Sequence, residues 1–182
     1  MDAAADTRNL VDKFKGLTNE EIITALDQNR STLEVAIENL SHDFNIGTIV
    51  RNANAFNVAR LHIIGKRKYN RRGAMVTDKY LHIDHFATVA EFVADAKQRQ
   101  YKLVAIENNR PESRPLQAAD FAPNSILIFG SESDGVSQEL LDQVDQCYYI
   151  EQLGSTRSIN VGCASAVALY DATRRLGLLS NA

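Results

Sequence analysis

The 182-residue sequence contains no tryptophan, three prolines and two cysteines. Cys147 and Cys163 form no CxxC pattern and have no histidine at metal-binding spacing, so we predict two reduced thiols and assign no metal site. No apolar run approaches the roughly 18 residues that a membrane-spanning helix needs. The first residues carry acids where a secretory signal carries bases, and we therefore expect a cytoplasmic protein without a membrane partner. A hydrophobic content of 45% and a charged content of 24% exclude intrinsically disordered and collagen-like chains.

Acidic and basic residues are unevenly distributed along the chain. The net charge of −3 gives no overall attraction for nucleic acid. Residues 39–79 nevertheless contain eight bases and two acids, whereas the remainder contains 12 bases and 21 acids. The seven residues of Lys66–Arg72, which we call the basic loop, include five bases and a tyrosine. This composition is typical either of a solvated surface or of a phosphate-binding loop with a stacking ring, and the composition leaves both open.

Short apolar runs alternate with helical periodicity from residue 33 onward. This alternation predicts an α/β domain over residues 33–182, with a mostly parallel sheet flanked by helices. Residues 1–32 contain the capping-box pattern Thr18–Glu21, and we expect a helical N-terminal extension there. The predicted strands are Leu33–Ile37, Leu61–Ile64, Leu103–Ile106, Ser125–Phe129 and Tyr148–Ile150; the predicted helices are Ile46–Phe56, Val89–Arg99, Gln138–Val144 and Ile159–Arg175.

Polar residues follow three of the predicted strands, at the edge where open α/β sheets bind ligands. In the first segment, Asn39–Ala53, Asn45 is a favourable N-cap residue for the following helix. Arg51 lies nearly two turns further on, and we expect both side chains to face one site. An exposed arginine on a surface helix is the alternative interpretation.

The second and third segments combine glycine with hydrogen-bonding side chains. Glu132 lies between two glycines in the loop after Ser125–Phe129, and an ordinary turn is the alternative. Ser158 is the predicted cap of the last helix. Asn160 falls in its first turn, where asparagine is unfavourable unless its amide has another role. No segment matches a Walker A loop, GxGxxG or GxSxG, which excludes those nucleotide-binding and serine-hydrolase motifs.

Taken together, the three segments resemble the SpoU/TrmH family of ribose 2'-O-methyltransferases, which belong to the SPOUT class. The segments match the patterns Asn-x-Gly-x-x-x-Arg-x-Ala, Gly-x-Glu-x-x-Gly after an apolar strand, and Ser-Leu-Asn-Val before an alanine-rich helix. The resemblance extends over about residues 33–176. At four positions the chain departs from the residue common in the family. It has Asn57 in place of glycine, Glu151 in place of proline, Ile159 in place of leucine and Gly162 in place of serine.

The resemblance implies an enzyme that uses S-adenosylmethionine to methylate a ribose 2'-hydroxyl in tRNA or rRNA. It also implies a homodimer and a deep trefoil knot in the C-terminal part, with the small residues of the last helix packed under threaded chain. A catalytically silent RNA-binding module on the same fold is the alternative. Matched positions assign cofactor contacts to Ile106, Gly130, Ile150 and Ile159, and catalysis to Arg51, Asn45, Glu132, Ser158 and Asn160.

Two assignments go beyond the matched motifs. RNA capture is assigned to the basic loop through Lys66, Arg67, Lys68, Arg71 and Arg72. In the family, the arginine that matches Arg51 is often assigned as the catalytic base, but a guanidinium is effectively never deprotonated in proteins. We therefore favour an Arg51 that binds the substrate phosphate and polarises the 2'-hydroxyl, and the sequence leaves the two accounts open.

Overall fold

The computed structural model describes residues 6–39, 45–108, 110–132 and 134–179. None of the helices in these ranges is long and apolar enough to cross a membrane. The strands are β1 (Glu34–Asn39), β2 (Arg60–Gly65), β3 (Ile83–Phe86), β4 (Lys102–Ile106), β5 (Arg114–Pro115), β6 (Ser125–Phe129) and β7 (Gln146–Tyr149). The helices are α1 (Asn19–Asp27), α2 (Ile46–Ala55), α3 (Val89–Gln98), α4 (Gln138–Leu141) and α5 (Val161–Arg175).

The seven strands form one sheet in the order β3-β2-β1-β6-β4-β7-β5, and every neighbouring pair is parallel. This arrangement confirms the predicted α/β class with a parallel sheet, and all five predicted strands are present with small shifts at their ends. The sequence analysis missed β3 and β5, which lie at the two edges of the sheet. β5 has only two residues and includes Pro115, which an edge strand tolerates. The trefoil knot stays a prediction.

The sheet carries apolar residues on both of its faces, as a parallel sheet requires. In β1, Val35 and Ile37 belong to one buried cluster together with Leu169 of α5. Ala36, between them, belongs to a second cluster together with Phe92 of α3. Successive side chains of a strand point to opposite faces. The continuous apolar runs of the sequence therefore reflect two cores, one on each face.

The small residues of α5 allow close packing against α2. A Cβ atom at Gly162 would lie 2.8 Å from Cγ2 of Thr48, so a larger residue would push the helices apart. Asn52 fixes the contact, because its Nδ2 donates hydrogen bonds of 2.8 Å to both the carbonyl of Gly162 and Oγ of Ser165. The small residues of the last helix thus form a close contact with α2.

The N-terminal extension is less helical than the sequence predicts. Of its described residues, only those of α1 and a single 3-10 turn at Asp12–Phe14 are helical. The predicted capping box is confirmed, since Glu21 N donates to Thr18 Oγ1 at 3.2 Å and Thr18 N donates to Glu21 Oε2 at 2.7 Å. Arg30 anchors the end of the extension by donating to the carbonyl of Tyr80 at 2.8 Å.

A buried charge cluster lies at the amino-terminal end of the sheet, opposite the strand ends where the three polar segments begin. Glu34, which is 2% exposed, is hydrogen-bonded to His62 Nε2 at 2.7 Å and to Arg99 Nη1 and Nη2 at 2.8 and 2.9 Å. Burial by itself would raise the pKa of Glu34. The hydrogen bonds of His62 and Arg99, together with the positive charge of Arg99, outweigh burial and lower that pKa to about 2.

The cluster predicts a pH-dependent contribution to stability. Because the pKa of Glu34 falls from 4.5 to about 2 on folding, its contribution is complete at neutral pH and is lost as the pH falls through that range. At pH 7 we expect Glu34→Gln to lower the free energy of unfolding by roughly 3 kcal/mol. Urea unfolding at a series of pH values should show this difference shrinking below about pH 4.5.

Glu139→Gln is the matched control, because Glu139 is exposed in the first turn of α4. We expect it to change the free energy of unfolding by less than about 0.5 kcal/mol at every pH. A difference between Glu34→Gln and the wild type that stays constant from neutral to acidic pH would contradict the assignment.

Candidate functional site

A pocket of about 320 Å³ opens at the carboxyl ends of β4, β6 and β7. This volume is in the range of small-molecule sites in proteins. All four residues predicted to contact a cofactor line the pocket, namely Ile106, Gly130, Ile150 and Ile159. The charged side chains of the lining are those of Glu107, Glu132, Asp134 and Arg157.

The loop after β6 folds back on itself through its two glycines. Ser131 and Gly135 exchange backbone hydrogen bonds of 3.1 and 2.9 Å. Gly135 has a φ of 68°, a conformation that residues with a Cβ rarely adopt. A Cβ atom at Gly130 would lie 1.9 Å from the carbonyl carbon of Gly135. Both positions therefore require glycine, and the closed loop forms one wall of the pocket.

Two residues that the sequence analysis missed connect the loops around the pocket. The carboxylate of Glu107, directly after β4, accepts hydrogen bonds from Asn108 N at 2.8 Å and from Val136 N at 3.0 Å. Asn108 Nδ2 donates to the carbonyl of Arg157 at 3.0 Å. Glu107 thus ties β4 to the loop after β6, and Asn108 ties it to the loop before α5. A carboxylate and an amide directly after a buried strand were the available sequence signal.

Residues from all three polar segments meet at one junction. Asn160 Nδ2 donates to Asn45 Oδ1 at 2.7 Å and to Glu132 Oε1 at 3.3 Å. Asn45 Nδ2 in turn donates a short hydrogen bond to Glu132 Oε2. The structure therefore brings these three residues, one from each segment, into direct contact. Residues 40–44 of the first segment and Ser133 of the second lie outside the described residues.

Asn160, and not Ser158, is the cap of the last helix. α5 begins at Val161, two residues later than predicted, and Asn160 Oδ1 accepts from Cys163 N at 3.3 Å. Ser158 is exposed and lines the pocket. Likewise, Asn45 is the N-cap of α2 by position, but its side chain makes no capping hydrogen bond and is engaged in the junction.

Within the described residues, Arg51 takes no part in the hydrogen bonds of the junction. It is exposed on α2 and is not among the residues that line the pocket. Residues four apart share a helix face, so Arg51 follows Gly47 on the side of α2 that packs against Asn70–Ala74. In the single chain, the arginine therefore lies toward the end of the basic loop, and its predicted contact with the reacting groups stays a prediction.

The basic loop is held to β1 by one buried side chain. Asn39, which is 1% exposed, donates through Nδ2 to the carbonyls of Lys66, in a short hydrogen bond, and of Lys68, at 3.1 Å. All five bases are exposed. Of these, only Arg71 forms an ion pair within the described parts of the chain, with Asp78 at 3.5 Å. The loop thus presents a concentrated positive charge from a fixed backbone.

Tyr69 does not fit the stacking role considered for it. Its ring is half-buried and packs against the core beside α2 and α5. Its hydroxyl is buried without a hydrogen-bond partner in the described residues. The tyrosine therefore anchors the basic loop, and a nucleic acid would contact the lysine and arginine side chains of the loop rather than an exposed aromatic ring.

Comparison with protein families and curated proteins finds matches over most of the chain. Residues 32–170 match the model of the SpoU rRNA Methylase family. The chain is 28% identical, over 154 residues, to a tRNA (guanosine(18)-2'-O)-methyltransferase of Aquifex aeolicus. That match covers 82% of this chain and 72% of the relative.

Solved structures share the fold at lower sequence identity. A crystal structure of an A. aeolicus TrmH/SpoU tRNA modifying enzyme has a TM-score of 0.75 and 24% identity, and the match covers 90% of this chain and 88% of that one. The SpoU methyltransferase AviRb from Streptomyces viridochromogenes, in complex with the cofactor AdoMet, has a TM-score of 0.72 and 22% identity. That match covers 81% of this chain and 62% of AviRb.

The loop geometry predicts unequal effects of two glycine substitutions. Gly130→Ala places a methyl group against backbone atoms that cannot rotate away, and we expect it to lower the free energy of unfolding by roughly 3 kcal/mol. Gly154→Ala is the control, because nothing lies within 4 Å of a Cβ atom there. It should change stability by less than about 0.5 kcal/mol. Urea unfolding of the two variants measures the difference, and equal effects would refute the closed-loop assignment.

Proposed function

The chain belongs to the SpoU rRNA Methylase family, and we propose that it transfers the methyl group of S-adenosylmethionine to a ribose 2'-hydroxyl of tRNA or rRNA. The observation that carries this proposal is the junction of Asn45, Glu132 and Asn160 beside a pocket lined by all four predicted cofactor residues. The Aquifex relative, a tRNA 2'-O-methyltransferase, supports it. We further propose that the enzyme acts in the cytoplasm, with residues 1–32 as an extension of a catalytic domain over residues 33–182.

The pocket residues fit the chemistry of S-adenosylmethionine. Ile106, Ile150 and Ile159 offer an apolar lining for an adenine ring. The carboxylates of Glu107 and Glu132 line the same pocket and provide the negative charge that favours a cation. When bound, the cofactor supplies an electrophilic methyl group on a positively charged sulfur.

The contribution of the protein to methyl transfer is mainly positioning and charge stabilisation. Asn45, Glu132 and Asn160 hold one another and fix the start of α5, and Ser158 lines the pocket just before it. In our proposal these four residues orient the ribose. Arg51 binds the adjacent phosphate and polarises the 2'-hydroxyl, while the phosphate or a water molecule accepts the proton.

The alternative of a silent RNA-binding module makes different predictions for cofactor binding. Such a module has no need of a pocket with apolar and acidic walls. In calorimetry, a chain that binds neither S-adenosylmethionine nor S-adenosylhomocysteine would belong to that class.

Replacement of Arg51 separates its role from that of the cofactor pocket. We expect Arg51→Ala to lower the methyl-transfer rate by at least about 100-fold, as expected for the loss of a charge-stabilising group. Its dissociation constant for S-adenosylmethionine, measured by calorimetry, should stay within about twofold because Arg51 does not line the pocket. Lys97→Ala, at an exposed position in the last turn of α3, should leave both quantities unchanged. Full methyl-transfer activity of Arg51→Ala would contradict the proposed role of Arg51 in polarising the 2'-hydroxyl.

RNA capture by the basic loop predicts a change in the salt dependence of binding. Each base that neutralises a phosphate releases counterions and contributes a log–log slope of roughly −0.7 for single-stranded RNA. Lys66→Ala/Lys68→Ala should weaken RNA binding and flatten this slope, without altering cofactor affinity. The control, Lys97→Ala/Lys102→Ala, removes the same charge from the last turn of α3 and the first residue of β4, at the amino-terminal end of the strands. Equal effects of the two pairs would assign the loop a general solubilising role.

The homodimer that we propose uses the outer face of α5. Val167 and Tyr170, one turn apart, are 44% and 52% exposed. They lie in a groove of about 550 Å³ that also includes Leu116, Ile150 and Ala166. A second copy of the chain seated on this face would cover the exposed apolar side chains close to the pocket, since Ile150 lines both.

A charged residue on this face should prevent association. We expect light scattering of the wild type at micromolar concentration to give about twice the 20.2 kDa mass of one chain. Tyr170→Asp should give the mass of a single chain, because an aspartate would be buried in the interface without a partner. Val11→Asp is the control at an apolar side chain that is 61% exposed in the N-terminal extension. A wild type that is monomeric under these conditions would remove the proposal.

A further inference from the structure

Among the residues that the structure describes, Arg157 is the only basic one that lines the pocket, and the resemblance assigns it no role. Its side chain is exposed. Within the described residues, the guanidinium forms no ion pair or hydrogen bond, although Glu107, Glu132 and Asp134 line the same pocket. An unpaired guanidinium at the wall of a pocket is a ready donor of charge-assisted hydrogen bonds to an anion.

The backbone of Arg157 is fixed relative to the pocket wall. Its carbonyl accepts a hydrogen bond of 3.0 Å from Asn108 Nδ2. Asn108 is itself held by Glu107, which also accepts from Val136 N. The side chain of Arg157 therefore starts from a fixed point on the rim, close to Ser158, and this reduces the conformational entropy lost when it binds a ligand.

The other charges of the pocket decide which anion is the better partner. Three carboxylates line the pocket, and they repel a phosphodiester of RNA that carries no positive charge of its own. The amino-acid end of S-adenosylmethionine carries a carboxylate together with an ammonium and a sulfonium group. Acidic walls and a single arginine match that pattern, with the positive groups toward the acids and the carboxylate toward Arg157.

We propose that Arg157 binds the carboxylate of S-adenosylmethionine and so selects for the intact amino-acid end of the cofactor. The assignment rests on the proposed function and adds a specificity residue to it. It uses the planar, two-pronged geometry in which a guanidinium pairs with a carboxylate.

The test compares two ligands that differ only in this group, S-adenosylmethionine and its decarboxylated form, by calorimetry without RNA. The wild type should bind S-adenosylmethionine about tenfold more tightly than the decarboxylated compound. Arg157→Gln should lose most of this preference by weakening the first ligand alone. Arg157→Lys, which keeps the charge but loses the paired geometry, should recover part of it.

Each other result overturns the assignment. If Arg157→Gln weakens both ligands equally, the residue has a structural role. If it leaves both unchanged but weakens RNA binding and reduces its salt dependence, Arg157 contacts an RNA phosphate. A wild type that binds S-adenosylmethionine and its decarboxylated form equally overturns the role of Arg157 alone, whereas a wild type that binds neither compound contradicts the proposed function as well.

Discussion

One carboxamide connects the starts of two helices, α2 and α5, with the loop after β6, and the candidate site depends on this connection. The Oδ1 atom of Asn160 caps α5, and its Nδ2 atom donates to both Asn45 and Glu132. Asparagine suits this position because its side chain has an acceptor at one end and two donor hydrogens at the other. A serine would offer a single oxygen, and an aspartate would add a second carboxylate beside Glu132. The start of α5 and the geometry of the junction are therefore set by the same side chain.

The charges at this edge of the sheet are separated into two regions. The pocket wall carries Glu107, Glu132 and Asp134, whereas the basic loop carries its positive charges beyond the end of β2. Screening reduces interactions between exposed charges over roughly 8 Å at physiological salt. A cationic cofactor can thus be attracted to the acidic pocket wall, while a polyanionic RNA is attracted to the basic loop. Asn39 at the end of β1 holds the backbone of the basic loop at this end of the sheet.

The sequence predicted the main elements of the sheet because two-sided burial leaves long apolar runs in the central strands. It missed β3 and β5, since edge strands need no such run. The choice between Ser158 and Asn160 as a helix cap was not decidable locally, because both are good cap residues. Only contacts with Asn45 and Glu132, which are distant along the chain, settle it. The contact between Glu107 and the loop after β6 could not be predicted from the sequence for the same reason, since the donor is a backbone N–H nearly 30 residues away.

The central claim is that the methyl group is transferred to a ribose 2'-oxygen. Its most direct test is incubation of the protein with methyl-labelled S-adenosylmethionine and tRNA or rRNA, followed by alkaline hydrolysis. Alkaline cleavage of RNA needs a free 2'-hydroxyl as nucleophile, so a 2'-O-methylated ribose protects the adjacent bond. The account predicts that the label appears in alkali-resistant dinucleotides. Label in single nucleotides methylated on the base, or no transfer by a protein that binds the cofactor, would contradict it.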